Sequence, residues 1–178
     1  KSFAPAVGPN TCIIPLLNGM SHLDVLDRKF GRERVLGGLC AIAVTLNEKR
    51  EVVQLAPMQS LGFGERDGTM SDRVKAIAEV FAKANCGAAP SGHVMQDMWE
   101  KWVFLDSLAA STCLMRTSVG NIMAVPGGKD FLLGMLDRPK ALGLFSFEAF
   151  LLGTLRFFGG ESFALRFLGG EAFGLGEG

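Results

Sequence analysis

The sequence predicts an α/β segment followed by a mostly α-helical one, and three observations carry that prediction. Residues 34–65 hold the β-rich runs RVLGGLCAIAVTL, EVVQLA and SLGFGE, separated by polar turn residues. Residues 71–85, SDRVKAIAEVFAKAN, and 93–116, HVMQDMWEKWVFLDSLAASTCLMR, repeat apolar residues at helical three-to-four spacing. Between and after them, AAPSG (88–92) and VPGG (125–128) punctuate the chain with glycine and proline.

Taken in order, TCIIPLL (11–17) reads as a short buried strand that ends in a turn at Asn18-Gly19. MSHLDVLDRKFG reads as a short helix, with Ser21 as its cap and Gly31 as its stop. The three β-rich runs form a meander, and the glycine pair at 37–38 leaves room for another backbone or a ligand. Asp67-Gly68 turns the chain into the 71–85 helix, capped by Ser71, with Val74, Ile77, Ala78, Phe81 and Ala84 on one face and Gly87 beyond its end. AAPSG is the best linker in the chain, and a long helix from His93 follows it.

The composition excludes several function classes. Eighteen basic and eighteen acidic residues balance to zero among 178, which argues against a broad footprint for nucleic acid or an anionic membrane. No apolar run reaches the ~20 residues of a membrane span, and KSFAPAVGPN is unlike a secretory leader. Cys12, Cys40, Cys86 and Cys113 are far apart and form no CxxC pair, and the two histidines lie in unrelated segments. That pattern predicts reduced thiols, a cytoplasmic setting and no metal site.

The last 38 residues are a different text. Eight of the 14 Phe fall after residue 140, and 141–178 uses only eight residue types. FGGESFAL (158–165) and LGGEAFGL (168–175) repeat at a period of ten, too short and too few for a solenoid. An apolar tail of this kind could serve as a dimer interface. A shifted reading frame in a GC-rich gene would produce the same alphabet, and peptide masses from the tail distinguish the two.

Lys101 is the residue whose placement most suggests chemistry. On a helix it shares a face with Val94, Met98, Leu105, Leu108 and Thr112. A lysine in an apolar stripe is either a desolvated proton donor or a snorkelling side chain paired with Asp97 one turn earlier. Asn18, after a strand, is either a ligand-binding carboxamide or half of an Asn-Gly turn. His22 and His93 are expected at the surface or as helix caps, and Trp99 and Trp102 as packing residues. GFGER (62–66) lacks the spacing of a phosphate loop. Ser107, Ser111 and Thr112 have no base at a readable spacing.

Four segments in sequence, LLNGM (16–20), RVLGGLCAIAVTL (34–46), FGERDG (63–68) and MWEKWVFLDSLAASTCLMR (98–116), resemble the ketopantoate reductase (2-dehydropantoate 2-reductase) family over about residues 1–136. The resemblance implies the C-terminal part of a Rossmann-type, NADPH-binding domain at 1–91 and a helical substrate or dimerisation domain at 92–178. It implies that Lys101 is the general acid toward the keto oxygen of a 2-keto acid. It implies that Asn18 lies near both nicotinamide and substrate, and that Ala43 lies near the cofactor. The family's glycine-rich phosphate loop would fall before residue 1, so weak or no activity is expected of these 178 residues alone. The best-known members carry asparagines four and eight residues after the lysine, where this chain has Leu105 and Ala109. The alternative is a non-catalytic helical module that dimerises or binds a partner.

Overall fold

The computed structural model describes residues 3–141, excepting the side chains of 56–58 and 137–141. The tail repeats and the tail dimer interface lie outside the described residues. The chain divides into two compact units, 1–99 and 100–178.

In the first unit, α1 (Ser21–Phe30) ends at Gly31, whose φ of 87° is a conformation glycine adopts without steric cost. The cap differs from expectation. Met20 is the N-cap and makes no side-chain cap hydrogen bond, so Ser21 is already helical. TCIIPLL also differs: Ile13 makes a single parallel bridge to Val35, and no regular strand forms. Ile13 donates its N–H to the Arg34 carbonyl at 2.8 Å and accepts from the Leu36 N–H at 3.0 Å. Two residues on, Pro15 has no N–H with which to continue a ladder.

Strand β1 (Gly37–Leu46) and β2 (Val52–Gly64) form an antiparallel hairpin from Gly37↔Gly64 to Leu46↔Val52. The expected runs 51–56 and 60–65 are one continuous strand. Between the pairs Ile42↔Gln59 and Val44↔Gln54 the register shifts, leaving Ala43 opposite the stretch 55–58. Pro57 falls in that stretch, where no ladder bond is asked of its nitrogen.

Helix α2 (Asp72–Phe81) begins as predicted, with the Ser71 hydroxyl accepting the Val74 N–H. The chain then returns as β3 (Ala88–Pro90), parallel to β2. The segment read as a linker is therefore the third strand of a β1-β2-β3 sheet. Small residues and a proline carry no strand signature, but at a sheet edge proline is tolerated and backbone pairing suffices. The Leu61 N–H donates to the Gly87 carbonyl and the Ser91 N–H to the Phe63 carbonyl at 2.7 Å.

Leu36, Phe63 and Val74 form the fully buried centre, with Ile14, Leu61, Ile77 and Phe81 packed around it. Phe63 of β2 and Leu36, the residue just before β1, thus meet the apolar face of α2. Each such side chain removed from water contributes about 1.5–3 kcal/mol.

Helix α3 (Val94–Met115) starts in the first unit and continues into the second, which adds α4 (Val119–Met123) and α5 (Gly128–Ala141). Ser118 caps α4 by accepting the Asn121 N–H. VPGG (125–128) lies at the junction of α4 and α5; the long helix ends earlier, at Met115, and the short α4 intervenes. Among the described residues no helix is long and apolar enough to cross a membrane.

Candidate functional site

The glycine pair is closed by the protein itself. A Cβ on Gly38 would stand 2.7 Å from the Pro15 carbonyl oxygen, and one on Gly37 would stand 2.6 Å from the Val94 side chain. The pair admits the 13–15 segment and the start of α3, which leaves no space there for a ligand. Asn18 follows three residues after Pro15, in a bend completed by Gly19 at φ 82°, and its side chain is exposed. Ala43 is half-buried at the register shift of β1, farther along the strand. The contacts of the 13–15 segment hold the chain three residues before Asn18 against the Gly38 end of β1.

The bend leads into α1, and two ion pairs hold that region. Arg66 grips Asp27 of α1 with Nη2 at 2.6 and 2.7 Å from the two carboxylate oxygens, and only 7% of the Arg66 side chain is exposed. Arg73 of α2 makes a two-pronged pair with Glu65, 2.6 Å on each prong, and also donates to the Glu33 carbonyl at 2.5 Å. The Ser71 hydroxyl adds a third donor to Glu65 at 2.7 Å. Hydrogen bonds from Arg73, foremost, hold the Glu65 carboxyl below its ordinary value, and Glu65 in turn raises Arg73. GFGER is thus a clamp that joins β2 to α1 and α2. Its partners lie 39 and 8 residues away, so local spacing could not reveal it.

His22 departs from expectation. It lies in the first turn of α1, but its Nε2 is enclosed and has no hydrogen-bond partner. Burial lowers its pKa from the ordinary 6.5. The unfolded chain therefore binds a proton more readily than the folded one in that range. Stability from this group is complete above the ordinary value and is lost as pH falls from there through the folded value. Thermal unfolding of the native protein and of His22→Gln, followed from pH 7 toward pH 5, is expected to show a steeper loss for the native protein. Parallel curves would refute a role for His22. His93 is exposed, as expected, and its N–H donates to the Ser91 hydroxyl. That hydroxyl donates to the Asp97 carboxylate at 2.5 Å.

In the second unit, Lys101 is half-buried on α3. The most buried line of the helix runs through Glu100, Val103, Ser107 and Ser111, turned about 100° from Lys101. Three of those four residues are polar, so apolar periodicity along the helix does not reveal them. Ser107 donates to the Met135 carbonyl of α5 at 3.3 Å, and the Ser111 hydroxyl is enclosed without a partner. Trp102 is 38% exposed, so most of its surface is covered by neighbouring atoms. Thr112, on the face of Lys101, bonds back to the Leu108 carbonyl at 2.8 Å. All four cysteines are free thiols, and among the described residues no three His, Cys, Asp or Glu cluster to hold a metal.

With this geometry in hand, known proteins give consistent matches. Residues 1–68 match the family model of ketopantoate reductase PanE/ApbA. The oxidoreductase YkpB of Bacillus subtilis is 34% identical over 125 residues, 70% of this chain and 41% of that protein. The chain therefore spans about two fifths of that curated relative's length. Among solved structures, 2-dehydropantoate 2-reductase from Porphyromonas gingivalis superposes with a TM-score of 0.69 at 19% identity, over 90% of this chain and 57% of its own. D-mandelate dehydrogenase with NADH gives a TM-score of 0.68 at 13% identity, over 92% and 56%. At such identities the structures establish a shared fold. The sequence matches, over residues 1–68 and over 125 residues, identify a segment of this chain with the ketopantoate reductase family.

Proposed function

We propose that these residues belong to an NADPH-dependent reductase of 2-keto acids, with 1–91 on the nucleotide side and 92–178 on the substrate side. The observation that carries this reading is Lys101: a half-buried lysine in the middle of a long helix, within a chain matched to that family. A lysine ammonium within hydrogen-bond reach of a keto oxygen can give it a proton as negative charge builds there.

Asn18 suits the nicotinamide end of the cofactor, with an exposed carboxamide that can donate and accept together, whereas Ala43 lies farther along β1. The residues present do not offer a second cradle for the phosphates at Gly37–Gly38, where the chain's own atoms lie. The nicotinamide, when bound, supplies hydride to the keto carbon. Lys101 holds the proton that the carbonyl oxygen takes up as its π electrons move onto it, giving a 2-hydroxy acid. Asn18 orients the bound groups through its amide.

The test is reduction of a panel of 2-keto acids by the native gene product that contains these residues, with NADPH and NADH compared. Loss of reduced nicotinamide dependent on keto acid, faster with NADPH, is expected. No oxidation with either cofactor would refute the reading.

A further inference from the structure

Asn18 stands in a stretch that is held from both ends. Among the described residues its side chain makes no hydrogen bond, and neither does the backbone of 16–19. Upstream, Ile13 is bonded to Arg34 and Leu36, and the Pro15 carbonyl lies against Gly38. Downstream, Gly19 turns the chain into α1 at Met20. The place of the carboxamide therefore follows the place of α1.

A helix moves as one body, so what fixes its far turn also fixes its near one. Asp27 lies six residues beyond Ser21, about 9 Å along the axis. There the nearly buried Arg66 holds both carboxylate oxygens, at 2.6 and 2.7 Å. Arg66 sits in the turn that follows β2, and its neighbour Glu65 is gripped by Arg73 and Ser71. Past the other end of α1, Arg73 also donates to the Glu33 carbonyl, and Arg34 donates to the Phe30 carbonyl at 2.8 Å. One polar network thus runs from α2 through the turn after β2 to α1. An apolar pair could fasten the same elements as strongly. A guanidinium on both oxygens of a carboxylate also fixes their distance and angle.

We propose that Arg66 and Asp27 are positioning residues for cofactor binding: their pair seats α1 and so sets where the Asn18 carboxamide meets the nicotinamide. The proposal rests on the reading of Asn18 as the residue that orients the bound nicotinamide.

The KM for NADPH of the native gene product tests this, because KM does not depend on the folded fraction. Asp27→Leu with Arg66→Met leaves no charge stranded but gives up the fixed geometry. Its KM is expected to rise about 10-fold, within the ~10²-fold that a 1 Å misplacement can cost. In an Asn18→Ala background the same double change is expected to add less than about 2-fold, because the residue it acts through is gone. A native KM in the double variant overturns the proposal. So does a rise that multiplies in full with that of Asn18→Ala. Arg66→Lys serves if the double variant does not fold. It strands no carboxylate, but its ammonium is a point charge on a shorter stem, so α1 shifts to meet it. Its KM should rise in the same sense, and a native value overturns the proposal. A native KM in Asn18→Ala removes Asn18 from the site, and the proposal falls with that reading. A raised KM in Asn18→Ala beside a native double variant keeps Asn18 and refutes the positioning role alone.

Discussion

Replacing Lys101 with alanine is expected to lower kcat for 2-keto acid reduction by ~10²–10⁴-fold, the usual contribution of a positioned general acid. KM should change little, because the proton is needed only as negative charge builds on the carbonyl oxygen. The helix should survive, since alanine has the highest helix propensity and Lys101 is not among the fully buried residues. Lys101→Arg is the informative companion. It keeps the charge but holds its proton too tightly to give it up, so it should remain far below the native rate. Steady-state kinetics decide this. A rise in KM with kcat unchanged would make Lys101 a binding residue, and native kcat in both variants would remove it from the chemistry.

Arg66→Met is expected to destabilise the protein by about 3 kcal/mol, because it strands the Asp27 carboxylate that Arg66 holds at 2.6 and 2.7 Å. Asp27 keeps a fifth of its side chain in water, which places the cost at the lower end of the range for broken buried pairs. Arg32 approaches Asp27 to 3.8 Å but is largely exposed and replaces little of the lost interaction. For a chain of this length the unfolding midpoint should fall by roughly 6–12 °C. The double variant Asp27→Leu with Arg66→Met should recover most of that loss, because neither charge is then left without its partner. Thermal unfolding of the three variants measures this. A single variant as stable as the native protein would show that the pair is not what fastens β2 to α1.

The helices and turns were legible in the sequence because their signals are local. Ser71 before an apolar period places the start of α2, Gly31 places the end of α1, and the spacing from His93 places α3. β1 was legible from its β-branched and apolar run. The strand at 88–90 was not, since Ala-Ala-Pro becomes a strand only when β2 lies beside it. The same holds in reverse at 11–17: an apolar run made a single bridge because Pro15 and the approach of Gly38 ended the pairing.

The candidate site divides along the same line. Lys101 stands out from helical spacing, and Asn18 from its position after an apolar run. The clamp of Asp27, Glu65, Arg66 and Arg73 and the enclosure of His22 were invisible, because each depends on atoms brought together from distant parts of the chain. By itself, then, the sequence determined where the helices α1, α2 and α3 lie, how the chemistry-bearing residues are spaced, and which family the chain resembles. The tertiary structure alone decided which apolar runs pair into a sheet, that the glycine pair is filled by protein, and that the buried line of α3 beyond residue 99 carries Glu100, Ser107 and Ser111. Periodicity reports only neighbours three or four residues apart, whereas pairing, burial and charge are settled by contacts made across the fold.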